Sequence, residues 1–203
     1  MSARPDYFEA FGLPRKLGID PDELQRRFYE LSRRVHPDFF QTRTPAEQAR
    51  SLERSALINR AYRTLRDLVP RVEYLIQLEE GRETREGDTA GIKPKAPTDL
   101  LEEMLEVQEA LQEAKAGGLD QATGQRLKEE QARLVERRAA EEATLLALAR
   151  EWDRTADGDD NRTRLLERMK ETLAARAYLN TVINDLSEAL AEETHRNVSH
   201  RRH

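Results

Sequence analysis

The chain has 203 residues, a net charge of −5 and a charged fraction of 36%, whereas soluble domains average about 25% charged residues. No apolar run of about 18 residues occurs, so the sequence predicts no transmembrane helix, and its first residues show no secretory signal. Cysteine is absent, which excludes disulfides, thiolate nucleophiles and cysteine-ligated clusters held by this chain alone. An acidic balance argues against nucleic acid as a partner of the whole molecule, and we expect a cytoplasmic protein.

Glycine and proline divide the chain into four parts. Residues 1–79 combine aromatic residues with short helical patterns, whereas residues 80–98 collect Gly, Pro and charge without periodicity, as a linker does. Residues 99–192 repeat Leu, Ala, Glu and Arg in helical register, and residues 193–203 form a basic tail. We therefore predict an all-α protein with two domains, a linker and a flexible end.

The first predicted helix covers Asp6–Phe11 and ends at Gly12, and a stronger helix follows. The second begins at Asp20, a good N-cap, with Glu23 where a capping box requires an acid, and ends at Val35 ahead of a His-Pro pair. Four apolar residues at helical spacing form a stripe that we interpret as core: Leu24, Phe28, Leu31 and Val35. The opposite face carries four arginines: Arg26, Arg27, Arg33 and Arg34. It indicates either an ordinary solvated face, since Asp22, Glu23 and Glu30 add acidic charge to this helix, or an interaction surface, which is the interpretation that we favour.

The tripeptide His36-Pro37-Asp38 follows this helix. By itself it indicates either a turn, in which proline fixes φ, or a histidine–carboxylate pair for acid–base catalysis. The catalytic interpretation is the weaker one, because the other three histidines lie in the tail. A cap sequence at residues 44–47 starts the next helix, and another spans Pro70–Leu78. The apolar positions of the helix after residue 44, which we also interpret as core, are Leu52, Ala56, Ile58, Ala61, Tyr62 and Leu65.

Residues 99–192 predict three helices with short loops, which together form an antiparallel bundle. The first spans Asp99–Lys115 and the second spans Gln121–Trp152, and the third follows a polar turn and ends near Glu192. The apolar positions of the first are Leu100, Met104, Val107 and Leu111. A coiled-coil hairpin used as a spacer is the alternative that leucine spacing alone leaves open.

These features resemble a J domain, the module that stimulates the ATPase of DnaK-type chaperones, and more narrowly the HscB family of iron–sulfur cluster biogenesis. The segments that carry the resemblance are Asp6–Pro14, Ile58–Leu65 and Arg71–Leu78, besides the His-Pro-Asp tripeptide. The likeness is strong over residues 6–81 and weaker but collinear over 99–192. It implies an antiparallel helical hairpin with short flanking helices, followed by a three-helix bundle.

The resemblance implies a co-chaperone without cofactor and without enzymatic activity. Such a protein binds an iron–sulfur scaffold protein (IscU-like) and delivers it to a DnaK-type chaperone (HscA-like) while stimulating that chaperone's ATPase. The chain has no P-loop of its own. The implied chaperone-binding residues are His36, Pro37, Asp38, Arg26, Arg27, Arg33 and Arg34. The alternative is a generic J-domain or helical adapter protein with a different client.

The resemblance places the scaffold contacts on the first bundle helix and, in part, on the last: Leu101, Leu105, Glu106, Glu109, Glu113 and Tyr178. A leucine pair beside an acidic row suits a partner with an apolar patch rimmed by Lys or Arg. Alternatively, both leucines are core and the glutamates only solubilise the helix. Two positions depart from the family pattern: Glu102, commonly an apolar contact, and Phe39, commonly Lys or Arg.

Overall fold

A computed structural model describes residues 6–81, 93, 95–117 and 121–200, apart from the side chains at positions 37, 100, 102, 103, 113–117 and 192–200. The described residues are helical and contain no strand, which confirms the predicted all-α class. The helices are α1 (Tyr7–Ala10), α2 (Pro21–Val35), α3 (Pro45–Arg66), α4 (Leu68–Glu79), α5 (Leu101–Gly117), α6 (Gln121–Trp152) and α7 (Asn161–His200). Short 3₁₀ turns precede α3 (Pro37–Phe40) and α5 (Thr98–Leu100).

The chain divides into two compact units. The first comprises Met1–Thr89 and Leu148–Leu166, and the second comprises Ala90–Ala147 and Glu167–His203. The first unit thus includes the end of α6 and the beginning of α7, which the sequence assigned to the C-terminal bundle. The predicted boundaries of the two functional domains stay a prediction.

Side-chain caps explain where the helices of the first unit begin. Asp6 and Glu9 form a capping box at α1, and Thr44 and Glu47 form another at α3, as the cap sequence predicted. The prediction for α2 was wrong in one respect. Its N-cap Asp20 accepts from the Asp22 amide at 3.0 Å, and no capping box forms with Glu23. The acidic side chain of Glu23 instead pairs with an arginine one turn later in α2.

The core of the first unit forms around α3, which contacts α1, α2 and α4. The rings of Tyr7 and Tyr74 stack at 4.3 Å, and the Tyr7 N–H donates to the Tyr74 hydroxyl at 2.9 Å. The opening segment therefore packs directly against α4. Two of the segments that carried the resemblance, Asp6–Pro14 and Arg71–Leu78, thus contact each other in the core. Two predicted core positions of α3, Leu52 and Ala56, are exposed instead, because they lie outside the stripe of buried Ile58, Ala61 and Leu65.

The second unit is organised around one apolar cluster to which α5, α6 and α7 all contribute. Its buried residues include Met104 and Val107 of α5, Leu134 of α6, and Leu179 and Leu186 of α7. Helix α7 continues to His200, past the predicted end near Glu192. The predicted end was wrong because residues 193–200 contain no glycine or proline to stop the helix, whereas the flexibility of the tail stays a prediction.

Candidate functional site

The turn between α2 and α3 exposes two ionisable side chains. His36 caps the 3₁₀ turn: the Asp38 amide donates to His36 Nδ1 at 3.3 Å, and Nδ1 lies 3.4 Å from Asp38 Oδ2. The side chains of His36 and Asp38 are 53% and 69% exposed. The imidazole and the carboxylate therefore both face solvent, within reach of a partner. Pro37 lies between them, and its side chain is outside the described residues.

Helices α2 and α3 form an antiparallel hairpin that holds this turn at one end. The Phe28 and Tyr62 rings stack at 4.2 Å midway along the pair. At the turn, buried Ser51 donates from its hydroxyl to the Val35 carbonyl oxygen at 2.8 Å. Because a buried hydroxyl rarely remains without a partner, this bond fixes the C-terminal end of α2 against α3.

The loop after the turn is tied to α3 as well. Gln48 Nε2 donates to the carbonyl oxygens of Gln41 and Arg43, at 3.0 and 3.1 Å. Each such bond contributes about 1 kcal/mol. The backbone around the His-Pro-Asp tripeptide is therefore anchored on both sides, while its side chains remain accessible.

Three of the four predicted arginines form a cationic face on α2. Arg26, Arg33 and Arg34 are exposed, and no ion pair or hydrogen bond within the described part of the chain engages their guanidinium groups. Their charge is thus available to a partner with an acidic surface, and it would steer such a partner towards the adjacent turn.

The fourth arginine, Arg27, is engaged within the fold. Its Nη1 donates to the carbonyl oxygens of Phe11 and Gly12, both at 2.8 Å. Its Nε and Nη2 donate to Glu23 Oε1 at 3.0 and 2.6 Å. Gly12 has a φ of +63°, a conformation that glycine adopts readily. Arg27 therefore clamps the end of α1 onto α2, a role that its place among the four arginines of α2 did not indicate.

Helix α5 has one buried and one exposed apolar surface. Met104, Val107 and Leu111 face the core of the second unit, whereas Leu101 and Leu105 are 52% and 59% exposed. The alternative in which this leucine pair is core is therefore wrong, because other apolar residues of α5 already supply the core face. Leu101 and Leu105 are one turn apart and form an apolar surface open to solvent.

The acidic row on α5 lies beside this leucine pair. Glu106 and Glu109 are exposed, and the side chain of Glu113 lies outside the described residues. Tyr178 of α7 is half-buried and packs against the core cluster to which Met104 of α5 belongs. The described members of the predicted scaffold set thus comprise exposed groups on α5 and one half-buried aromatic ring on α7.

Asp153, just after α6, was missed by the sequence analysis. Its two carboxylate oxygens accept from the consecutive backbone amides of Leu17 and Gly18, at 2.8 and 2.6 Å. Arg71 Nη1 donates to the carbonyl oxygen of Leu17 from within the fold. Because more than 130 residues separate the carboxylate from both amides, no local spacing in the sequence could have revealed this contact.

Burial shifts the pKa of two side chains in the first unit. It lowers the pKa of Arg71, whose Nε and Nη2 donate to the carbonyl oxygens of Leu65 and Arg66 at 2.6 and 3.1 Å. It raises the pKa of the Tyr74 phenol well above its usual value. Both residues belong to the Arg71–Leu78 segment that carried the resemblance, and both act in the interior of the fold.

Two further properties of the described residues bear on function. No group of three or more His, Asp or Glu side chains among them could hold a metal ion. None of the described helices combines the length and the hydropathy required to cross a membrane.

An antiparallel hairpin with a His-Pro-Asp turn at one end is the arrangement that the resemblance to a J domain implied. No protein-family model matches the chain. The chaperone HscB from Vibrio cholerae is 24% identical over 93% of this chain and 99% of its own, with a TM-score of 0.58. The human co-chaperone protein HscB is 26% identical over 92% of this chain and 83% of its own, with a TM-score of 0.56. The chain is thus HscB-like in fold.

Proposed function

We propose that this chain is a co-chaperone of iron–sulfur cluster biogenesis. It binds a scaffold protein of the IscU kind and delivers it to a DnaK-type chaperone of the HscA kind, whose ATP hydrolysis it stimulates. The observation that carries the proposal is the exposed His36–Asp38 pair at the end of a hairpin whose α2 face carries exposed arginines. The likeness to two HscB chaperones over at least 92% of the chain supports it.

The chaperone contact combines long-range attraction with a fixed local shape. Arg26, Arg33 and Arg34 attract an acidic surface of the chaperone and orient it before contact. The carboxylate of Asp38 then meets the chaperone on a turn that Gln48 and Ser51 anchor. Arg27 contributes indirectly, by holding the α1 end against α2.

Stimulation of hydrolysis is allosteric under this proposal. The chaperone supplies the nucleotide site, and the J-type hairpin binds more tightly to the chaperone state that hydrolyses ATP. The coupling between two such sites is typically about 1–3 kcal/mol, or about 5–150-fold in an equilibrium constant. The chain therefore acts as a non-enzymatic partner.

The scaffold contact is assigned to α5 and α7. Leu101 and Leu105 supply exposed apolar surface, and Glu106 and Glu109 lie on the same helix, with Glu113 retained from the sequence prediction. A scaffold with an apolar patch flanked by Lys or Arg would complement this arrangement. Tyr178 is half-buried and would contribute the accessible part of its side chain.

The test is a reciprocal pair of variants in the full chain. Asp38→Asn, which keeps the side-chain volume and removes the charge, should abolish stimulation of the chaperone's ATPase and leave scaffold affinity unchanged. The double variant Leu101→Ala and Leu105→Ala should lower scaffold affinity and leave stimulation in the absence of scaffold unchanged. Scaffold affinity is measured by calorimetry, and stimulation by steady-state ATP hydrolysis.

Each result against this pattern has a distinct meaning. If Asp38→Asn stimulates as well as the natural chain, the turn is not the chaperone contact. If the leucine variant binds the scaffold as tightly as the natural chain, α5 does not bind the scaffold. If the natural chain stimulates no DnaK-type chaperone, a helical adapter with another client is the better interpretation.

A further inference from the structure

The most exposed large apolar side chain of the described residues lies inside the chaperone-facing turn. Phe39 directly follows Asp38 and is 70% exposed, whereas its neighbour Phe40 is half-buried. Single apolar residues on a protein surface are common and need no explanation. Phe39 differs because it is adjacent, in space as well as in sequence, to the side chains that are proposed to contact the chaperone.

Two contacts place Phe39 beside the tripeptide, one through its backbone and one through its ring. Its backbone N–H donates to the His36 carbonyl oxygen at 3.1 Å. Its ring meets the His36 ring edge-on, with centroids 6.2 Å apart and an interplanar angle of 73°, which is a favourable geometry for aromatic pairs. A surface that contacts the His36 imidazole on this side therefore also meets the Phe39 ring.

We propose that Phe39 is the apolar anchor of the chaperone contact, and that it selects a chaperone with an apolar pocket inside an acidic rim. This inference rests on the proposed chaperone contact. Aromatic side chains at the centre of an interface are frequent hot spots, and the exposed Arg33 and Arg34 on the adjoining α2 face favour acidic groups around that centre. The surface thus combines one exposed apolar anchor with a charged periphery.

A second copy of this chain is the less favourable occupant. A symmetric dimer places the same surface on both sides of its interface. Two copies joined through Phe39 would therefore bring Arg33 and Arg34 of one protomer towards the same arginines of its partner. Like charges in such an arrangement repel, whereas an acidic chaperone surface would satisfy them.

The experiment compares Phe39→Ala, Phe39→Leu and Phe39→Lys with the natural chain in single-turnover ATP hydrolysis by a DnaK-type chaperone. The concentration of each variant is varied, so that the half-maximal concentration is separated from the maximal rate. Phe39→Ala should raise the half-maximal concentration about tenfold or more with the maximal rate unchanged. Phe39→Leu should recover most of the affinity, and Phe39→Lys should bind no better than Phe39→Ala.

Salt dependence distinguishes the apolar anchor from the arginine face. The half-maximal concentration of Phe39→Ala, divided by that of the natural chain, should be the same at about 50 mM and about 300 mM salt, because screening acts on charges. The corresponding ratio for Arg33→Ala should shrink at the higher salt. Leu146→Ala, which truncates a 42% exposed leucine of α6, is the matched control and should behave as the natural chain.

The inference is overturned if Phe39→Ala titrates like the natural chain, or if Phe39→Lys equals or exceeds the natural chain. It is also overturned if the natural chain self-associates in sedimentation, Phe39→Ala does not, and the two titrate equally in the ATPase assay. Because the ring is exposed, thermal unfolding of these variants should match that of the natural chain. A natural chain that stimulates no chaperone would instead contradict the proposed function itself, so the two failures are distinguishable.

Discussion

Removal of the Asp153 carboxylate tests the internal contacts of the first unit most severely. In Asp153→Ala the amides of Leu17 and Gly18 lose acceptors at 2.8 and 2.6 Å. Hydrogen bonds to a charged group contribute about 1.5–3 kcal/mol each. The lower figure applies here, because the site of the Gly18 amide is exposed and that of Leu17 is only partly buried. The expected loss in the free energy of unfolding is about 3 kcal/mol.

The assay uses the single tryptophan of the chain as its reporter. Trp152 precedes Asp153, is 1% exposed and belongs to the first unit. Urea unfolding followed by its fluorescence should show the loss of about 3 kcal/mol, and the melting temperature should fall by about 6–12 °C. Asp153→Asn keeps one oxygen acceptor, so it should lose about half as much.

The control is Asp185→Ala, which removes an exposed carboxylate of α7 and should change the free energy of unfolding by less than about 0.5 kcal/mol. A loss of unfolding free energy below about 1 kcal/mol in Asp153→Ala would refute the reasoning. The hydrogen bonds from the two backbone amides to the carboxylate would then contribute no more than hydrogen bonds to water.

Three further predictions follow from the geometry. Arg27→Ala should lower the free energy of unfolding by about 1–2 kcal/mol in urea unfolding. Arg26→Ala should leave that free energy unchanged and weaken chaperone binding. Equal stability of the two variants would contradict the role of Arg27 as a clamp. Leu105→Lys should weaken scaffold binding in calorimetry without lowering the melting temperature, and a clear fall in that temperature would show that Leu105 is needed by the core. Burial raises the pKa of Tyr74 above its unfolded value near 10, so its contribution to stability is complete below about pH 10 and is lost as pH rises further. In urea unfolding at several alkaline pH values, Tyr74→Phe should therefore lose stability less steeply than the natural chain; equal slopes would contradict this pKa shift.

The fold was largely predictable because helices leave local signals. The capping box at Thr44 and Glu47, the apolar stripe of α2 and the proline after His36 each depend on residues within a few positions of one another. The same locality explains the error at Leu52, since a periodic pattern does not specify which residues a neighbouring helix covers. The end of α7 was misjudged for a related reason, as polarity alone does not stop a helix.

The candidate site was predictable in its composition but less so in the role of each residue. Four arginines on α2 are equivalent in the sequence, yet Arg27 is bound to two backbone carbonyls and the others face solvent. Leu101 and Leu105 could have been core or surface, and only the packing of α5 decides between the two. The contact of Asp153 could not be predicted, because its carboxylate meets the amides of Leu17 and Gly18 only after the first unit has folded.

The central claim is tested most directly by single-turnover ATP hydrolysis on a DnaK-type chaperone preloaded with ATP. Addition of the natural chain should accelerate hydrolysis clearly above the rate of the chaperone alone, and Asp38→Asn at the same concentration should give the rate of the chaperone alone. No acceleration by the natural chain, or equal acceleration by Asp38→Asn, would contradict the account.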